Sequence, residues 1–216
     1  MIKVFFAIFF PMLSIAQITI EVVPVWNTTK LEKRKSYGIE ASDSIKVTAF
    51  SVYLGKFNGN TSPENYHLVD AFNAASLTFT IPALTNDTLA FVIGVDSVLC
   101  TSGVLEGDLD PAKGMYWAWN TGYIHAKLQG TSNKSPDAHK EFEFHIGGYL
   151  SPFAPLQKVV IPINQGSKKI VLYMDAYKWF YGTYPVDLSK TYHVVDPGRE
   201  AKQISENYKN MFRLKG

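Results

Sequence analysis

The chain has 216 residues, enough for one large all-β domain or at most two small ones. Hydrophobic residues make up 46% and aromatic residues 14%, which supports a sizeable core and favours strands over helices. The formal net charge is only +2 and the longest basic run is Lys33-Arg34-Lys35, so the clustered positive footprint that phosphate binding needs is missing and nucleic acid is a poor partner.

The N-terminal segment, residues 1–16, carries one lysine, Lys3, then an apolar run from Val4 to Ile15. Small residues, Ser14 and Ala16, stand at the two positions a signal peptidase reads. This pattern reads as a secretory signal peptide cleaved after Ala16, and it is too short for a comfortable membrane span. The mature domain is then 17–216, exported, with no membrane span. Cys100 is the single cysteine, so no internal disulfide forms and the fold must rest on its core. A buried inert thiol is the expectation there, with a soft metal ligand as the alternative.

Beyond the signal peptide the hydrophobic pattern is mostly period two. Strands are expected over Gln17 to Trp26, Ser44 to Leu54, Leu77 to Ile81, Thr88 to Val95, Tyr123 to Leu128, Glu141 to Tyr149, Lys158 to Ile163 and Lys168 to Tyr173. Asn86-Asp87 reads as a hairpin turn, and Asn164 to Ser167 as another turn. Asn58 to Asn65 and Thr131 to His139 read as polar loops. One helix closes the chain. Asp196 is the expected N-cap, Pro197 the first helical residue, and Ala201, Ile204, Tyr208 and Met211 recur at helical spacing. The fold class that follows is all-β: a single β-sandwich, immunoglobulin-like or related, with a C-terminal helix on its edge.

Of the five histidines, His67, His125, His145 and His193 are the candidate ligands, and His139, in a polar loop, reads as solvated. In the return strand EFEFHIGGY, Phe142, Phe144 and Ile146 share one face while Glu141, Glu143 and His145 share the other. If the hairpin is symmetric about Ser135, His125 lies directly opposite His145, with Cβ atoms roughly 4.5–5.5 Å apart. Two imidazoles at that distance can share a metal; a one-residue slip would separate them and leave two surface histidines. No HxH, HExxH or CxxC stands in the chain, so a zinc signature is absent. GDLDP (Gly107 to Pro111) lacks the spaced carboxylates of a calcium loop and reads as a turn. Without GxSxG or an activated nucleophile, an enzyme is not expected.

Three segments, IGVD (Ile93 to Asp96), GMYWAWNTGYI (Gly114 to Ile124) and FEFHIGGY (Phe142 to Tyr149), resemble in order and spacing the MbnP-like family of exported bacterial copper-binding proteins. Weaker agreement extends to FSVYLGKF, YHLVDA and the C-terminal HVVDPG. The family is similar to the copper-repressible surface proteins of methane-oxidising bacteria. The resemblance implies a periplasmic or surface β-sandwich that binds copper through histidine. His145 matches the histidine of the family's FH-(I/L)-G motif, and His193 and His67 fall where similar sequences commonly carry histidine. His125 departs from the family, which usually has a bulky apolar residue there. In related proteins one tryptophan is oxidised to kynurenine, a change associated with a partner diheme peroxidase. Trp117 and Trp119 match the family's WxW and are the candidates for that oxidation; alternatively they only pack.

The function expected is therefore that of a non-enzymatic protein that sequesters or delivers copper. Its affinity should fall towards pH 5–6 as imidazole is protonated. A different class of reading remains open. Trp26, Trp117, Trp119, Trp179 and the aromatic stretch YKWFYGTY (Tyr177 to Tyr184) could stack on sugar rings in a carbohydrate- or surface-binding module.

Overall fold

A computed structural model describes residues 17–38, 42–84, 86–120 and 122–215. The expected signal peptide, residues 1–16, lies outside the described residues. Alternation from Gln17 onwards becomes β1 (Gln17–Trp26), which buries Ile18, Ile20 and Val22 and leaves the residues between them closer to solvent. There follow β2 (Thr29–Lys30), β3 (Ser36–Tyr37), β4 (Ile45–Gly55), β5 (His67–Asp70), β6 (Thr78–Pro82) and β7 (Thr88–Ile93). A single helical turn, α1 (Ser97–Cys100), precedes β8 (Tyr116–Trp117) and the long hairpin β9 (Gly122–Ser132) and β10 (Glu141–Gly147). The chain finishes with β11 (Gln157–Pro162), β12 (Lys169–Asp175), β13 (His193–Val194), α2 (Arg199–Tyr208) and β14 (Phe212–Leu214).

These strands form the expected β-sandwich. One sheet runs β14-β12-β1-β2, with β6 also on β1; the other runs β11-β7-β4-β9-β10-β13. Most pairs are antiparallel, but β1 with β12 and β10 with β13 are parallel. The main core lies between the sheets, where Ile20 and Val22 meet Phe50, Val52, Phe91, Phe142 and Phe144. Helix α2 adds Ala201, Ile204 and Tyr208 to that core and packs on β10. A second cluster lies on the other face of the larger sheet, because Tyr53 and Val92 alternate with core residues of β4 and β7. Leu99, Cys100, Leu109, Met115 and Trp117 cover it.

Two local expectations need correcting. Asn86-Asp87 does not turn a hairpin: β6 pairs with β1 in one sheet and β7 with β11 and β4 in the other, so this connection crosses the sandwich. The Asn164–Ser167 turn forms, yet it too joins strands of different sheets. Local turn chemistry specifies a reversal, not which partner the returning strand takes. Helix α2 begins two residues late, with Gly198 as its N-cap and no side-chain cap.

Candidate metal centre

The β9–β10 hairpin presents its two faces as alternation requires. Phe142, Phe144 and Ile146 are buried in the core, and Glu143 and His145 lie on the outer face. Its register differs from the symmetric expectation. Ser132 N–H donates to the Lys140 carbonyl at 2.7 Å, and the Asp137 carboxylate accepts from the backbone N–H of His139 and Glu141. That loop closure puts the pairing centre at Pro136, so His145 faces Lys127 and not His125. At the end of the hairpin Ile146 pairs with Ala126 but Gly147 with Ile124, which leaves His125 as the extra residue of a β-bulge. The proposed cross-strand His125–His145 pair is therefore not formed.

Another histidine comes to the site instead. β13 lies parallel beside β10 with His193 opposite Glu143, while Gln129 of β9 faces Glu143 from the other side. Gln129, Glu143 and His193 thus make a row across three strands, with His145 one step along. His145 Nε2 stands 3.0 Å from Glu143 Oε1, and His193 Nδ1 stands 3.6 Å from Glu143 Oε2. Gln129 Nε2 donates to Glu143 Oε1 at 2.6 Å and lies 3.0 Å from His145 Nε2. Burial, aided by the Lys127 and His193 charges and opposed by Glu143, pushes the His145 imidazole down to about 4. At neutral pH it is an uncharged ring beside a carboxylate, so a ring lone pair is available to a metal.

The donors fit copper in kind, since imidazole nitrogens rank copper(II) above the other first-row divalent ions. They are not fully gathered: among the described residues, no group of three or more His, Cys, Asp or Glu is already arranged to hold an ion. Closing the set needs a side-chain turn, and His193, whose side chain is 56% exposed, has room to make it.

His67 stands apart. It lies on β5, separated from β10 by β4 and β9, or roughly 14 Å at ordinary strand spacing. Its ring stacks on Phe79 at 4.1 Å between centroids, and its Nδ1 is 4.0 Å from Asp108 Oδ2. Burial lowers its pKa against the pull of Asp108. His125 is buried against Gly94, and neither ring nitrogen has a hydrogen-bond partner. Desolvation pushes its pKa down to about 4, with Asp96 opposing. Cys100 is the buried thiol expected; burial raises it to about 11, and its Sγ contacts the Val95 carbonyl at 3.6 Å.

The tryptophans divide sharply. Trp26, Trp117 and Trp179 are buried, and only Trp119 is exposed, at 64%. Trp179 is core, stacked on Phe144 and packed on Tyr208. Of the YKWFYGTY stretch, Tyr181 and Tyr184 are exposed, while Trp179 and Phe180 are not. A stacking platform made of all four tryptophans therefore does not exist.

Trp117 reaches the histidine strand. Its ring covers Gly147, two residues from His145 on β10, and its other neighbour is Trp119, with ring centroids 5.6 Å apart. A family model for MbnP matches residues 15–201. The chain belongs to the MbnP family. Among solved structures it is similar to MbnP from Methylosinus trichosporium, with a TM-score of 0.52 at 12% identity over 86% of this chain and 81% of that one. At that identity the likeness speaks for the fold. No curated protein matches by sequence. Among the described residues, no helix is long and apolar enough to cross a membrane. Glu143 and Gln129 escaped the sequence reading as site members. Glu143 had a signal, its shared face with His145, whereas Gln129 had none until the register was known.

Proposed function

We propose that this MbnP-family chain is an exported copper-binding protein that sequesters or delivers the metal through His145 and His193, without turnover. One observation carries this reading: His145 Nε2 and His193 Nδ1, from adjacent strands, address the same Glu143 carboxylate. The copper ion would supply a Lewis-acidic centre for nitrogen donors. The chain's part is to keep His145 neutral by burial, orient it on a rigid strand, and present His193 from β13. His67 and His125 take no part, because their neighbours lie elsewhere.

Within this reading Trp117 is the candidate for conversion to kynurenine; what supports it is that Trp117 packs beside the His145 strand whereas Trp119 stands mostly in solvent. A diheme peroxidase partner would supply the oxidising equivalents. Oxidative cleavage of the indole C2–C3 bond followed by hydrolysis releases the excised carbon as formate, so the modified residue gains one oxygen and loses one carbon. Metal analysis and intact mass on protein from the native periplasm test both parts. Copper near one per chain, lost in His145→Ala, is expected, together with the matching mass change on Trp117. No copper on the native sample, and none taken up on titration, overturns the reading.

A further inference from the structure

Glu143 sits at the centre of a polar cluster on the outer face of β9, β10 and β13. His145 Nε2 lies 3.0 Å from both Glu143 Oε1 and Gln129 Nε2, and Gln129 Nε2 lies 2.6 Å from that same Oε1. A neutral imidazole nitrogen is either a donor or an acceptor. As a donor it shares the Glu143 Oε1 acceptor with the Gln129 N–H group; as an acceptor from Gln129 it turns its lone pair towards the carboxylate. Turning the amide round would set its oxygen against the carboxylate instead. A cation between the imidazole and carboxylate suits the second tautomer, because both groups then offer lone pairs to the same centre. The spacing suits it: donors about 2.0–2.2 Å from a shared ion lie roughly 3 Å apart.

Charge points the same way. Lys127, half-buried and directly opposite His145, sets a positive charge beside the site, as does His193 when protonated. Among the charged groups acting on His145, Glu143 carries the negative one. A metal ion bound by two neutral imidazoles next to Lys127 needs that anion, and a doubly charged ion needs it more than a singly charged one. Carboxylate oxygen is also a hard donor that adds little to a soft monovalent ion.

We propose that Glu143 is the third donor of the His145–His193 site and that it tunes the site towards divalent copper. This rests on the copper reading above, and the experiment separates the two. The full mature chain is titrated with Cu(II), with Cu(I) held by a competing chelator, and with Zn(II) as a redox-inert divalent probe. Glu143→Gln keeps the shape and removes the charge. It should weaken Cu(II) and Zn(II) binding by about ten-fold or more while Cu(I) affinity moves by less than about three-fold. The Cu(II) electron paramagnetic resonance spectrum should change with it, as a charged carboxylate oxygen is replaced by a neutral oxygen ligand. Glu143→Asp, which retains the charge, should recover part of the Cu(II) loss. If Glu143→Gln binds Cu(II) like the parent while His145→Ala abolishes binding, Glu143 is not a donor and the histidine site stands. Equal losses for Cu(I) and Cu(II) also overturn the tuning. A parent chain that binds neither ion removes the copper reading and this inference together.

Discussion

The ring of Trp117 lies directly on Gly147: a Cβ placed on that glycine would stand 2.8 Å from Trp117 Cζ3 and would also collide with the Tyr123 carbonyl. The contact ties the aromatic segment around β8 to the strand carrying His145. It explains why a glycine follows the His-Ile pair here. Gly147→Ala should destabilise the fold by about 1–3 kcal/mol through overpacking. It should also displace Trp117, so the intrinsic fluorescence of the folded protein shifts. An unchanged denaturation midpoint and spectrum would mean that the Trp117 ring does not rest on Gly147.

The two tryptophans of the WxW segment should behave unequally. Trp117 is 5% exposed and its removal should cost about 3–5 kcal/mol, as for other buried aromatics. Trp119 is 64% exposed, so Trp119→Ala should stay within about 0.5 kcal/mol of the parent. Chemical denaturation of the two variants measures the difference.

His125 gives the fold an acid sensitivity that is separate from metal binding. Its folded-state pKa, about 4, is below the usual value for an exposed imidazole because burial penalises the charged ring. Between pH 6.5 and about 4 the unfolded chain therefore binds more protons than the folded one. The stabilisation is fully present above pH 6.5 and is lost as pH falls through that window, by up to about 3 kcal/mol. His145 acts with the same sign, diminished by its partial exposure. His125→Gln should flatten the fall in melting temperature of the metal-free protein across that window. An unaltered slope would show that His125 does not titrate as a buried ring.

At the His145 ring, protons should compete with copper only at lower pH than at an ordinary imidazole. The expectation from free imidazole was a loss towards pH 5–6. With His145 pushed down to about 4, proton competition at that ring begins only below about pH 5. Ring-proton resonances of His145 in the metal-free chain should titrate near 4. A midpoint near 6.5 would mean that Lys127 and burial do not act on this ring as the geometry requires.

The sequence alone determined the eight longest strands, the sandwich class and the closing helix, because these depend on periodicity within one segment. β1 from Gln17 to Trp26 and the two faces of β10 follow from alternation of apolar side chains. Helix α2 follows from Ala201, Ile204 and Tyr208 at helical spacing. His145 was legible too, through the FHIGG segment and its shared face with Glu143. What only the tertiary structure decided are the relationships between segments. A turn signal such as Asn86-Asp87 does not say which sheet the next strand joins. The pairing of His145 with Lys127 was decided by how the Asn133–His139 loop closes through Ser132, Asp137 and Lys140, and the bulge at His125 then buried a residue that simple alternation had put on the surface. His193 meets Glu143 because β13 docks in parallel on the sheet edge. Such long-range pairings are chosen by burial of the whole core, so no local stretch of residues records them.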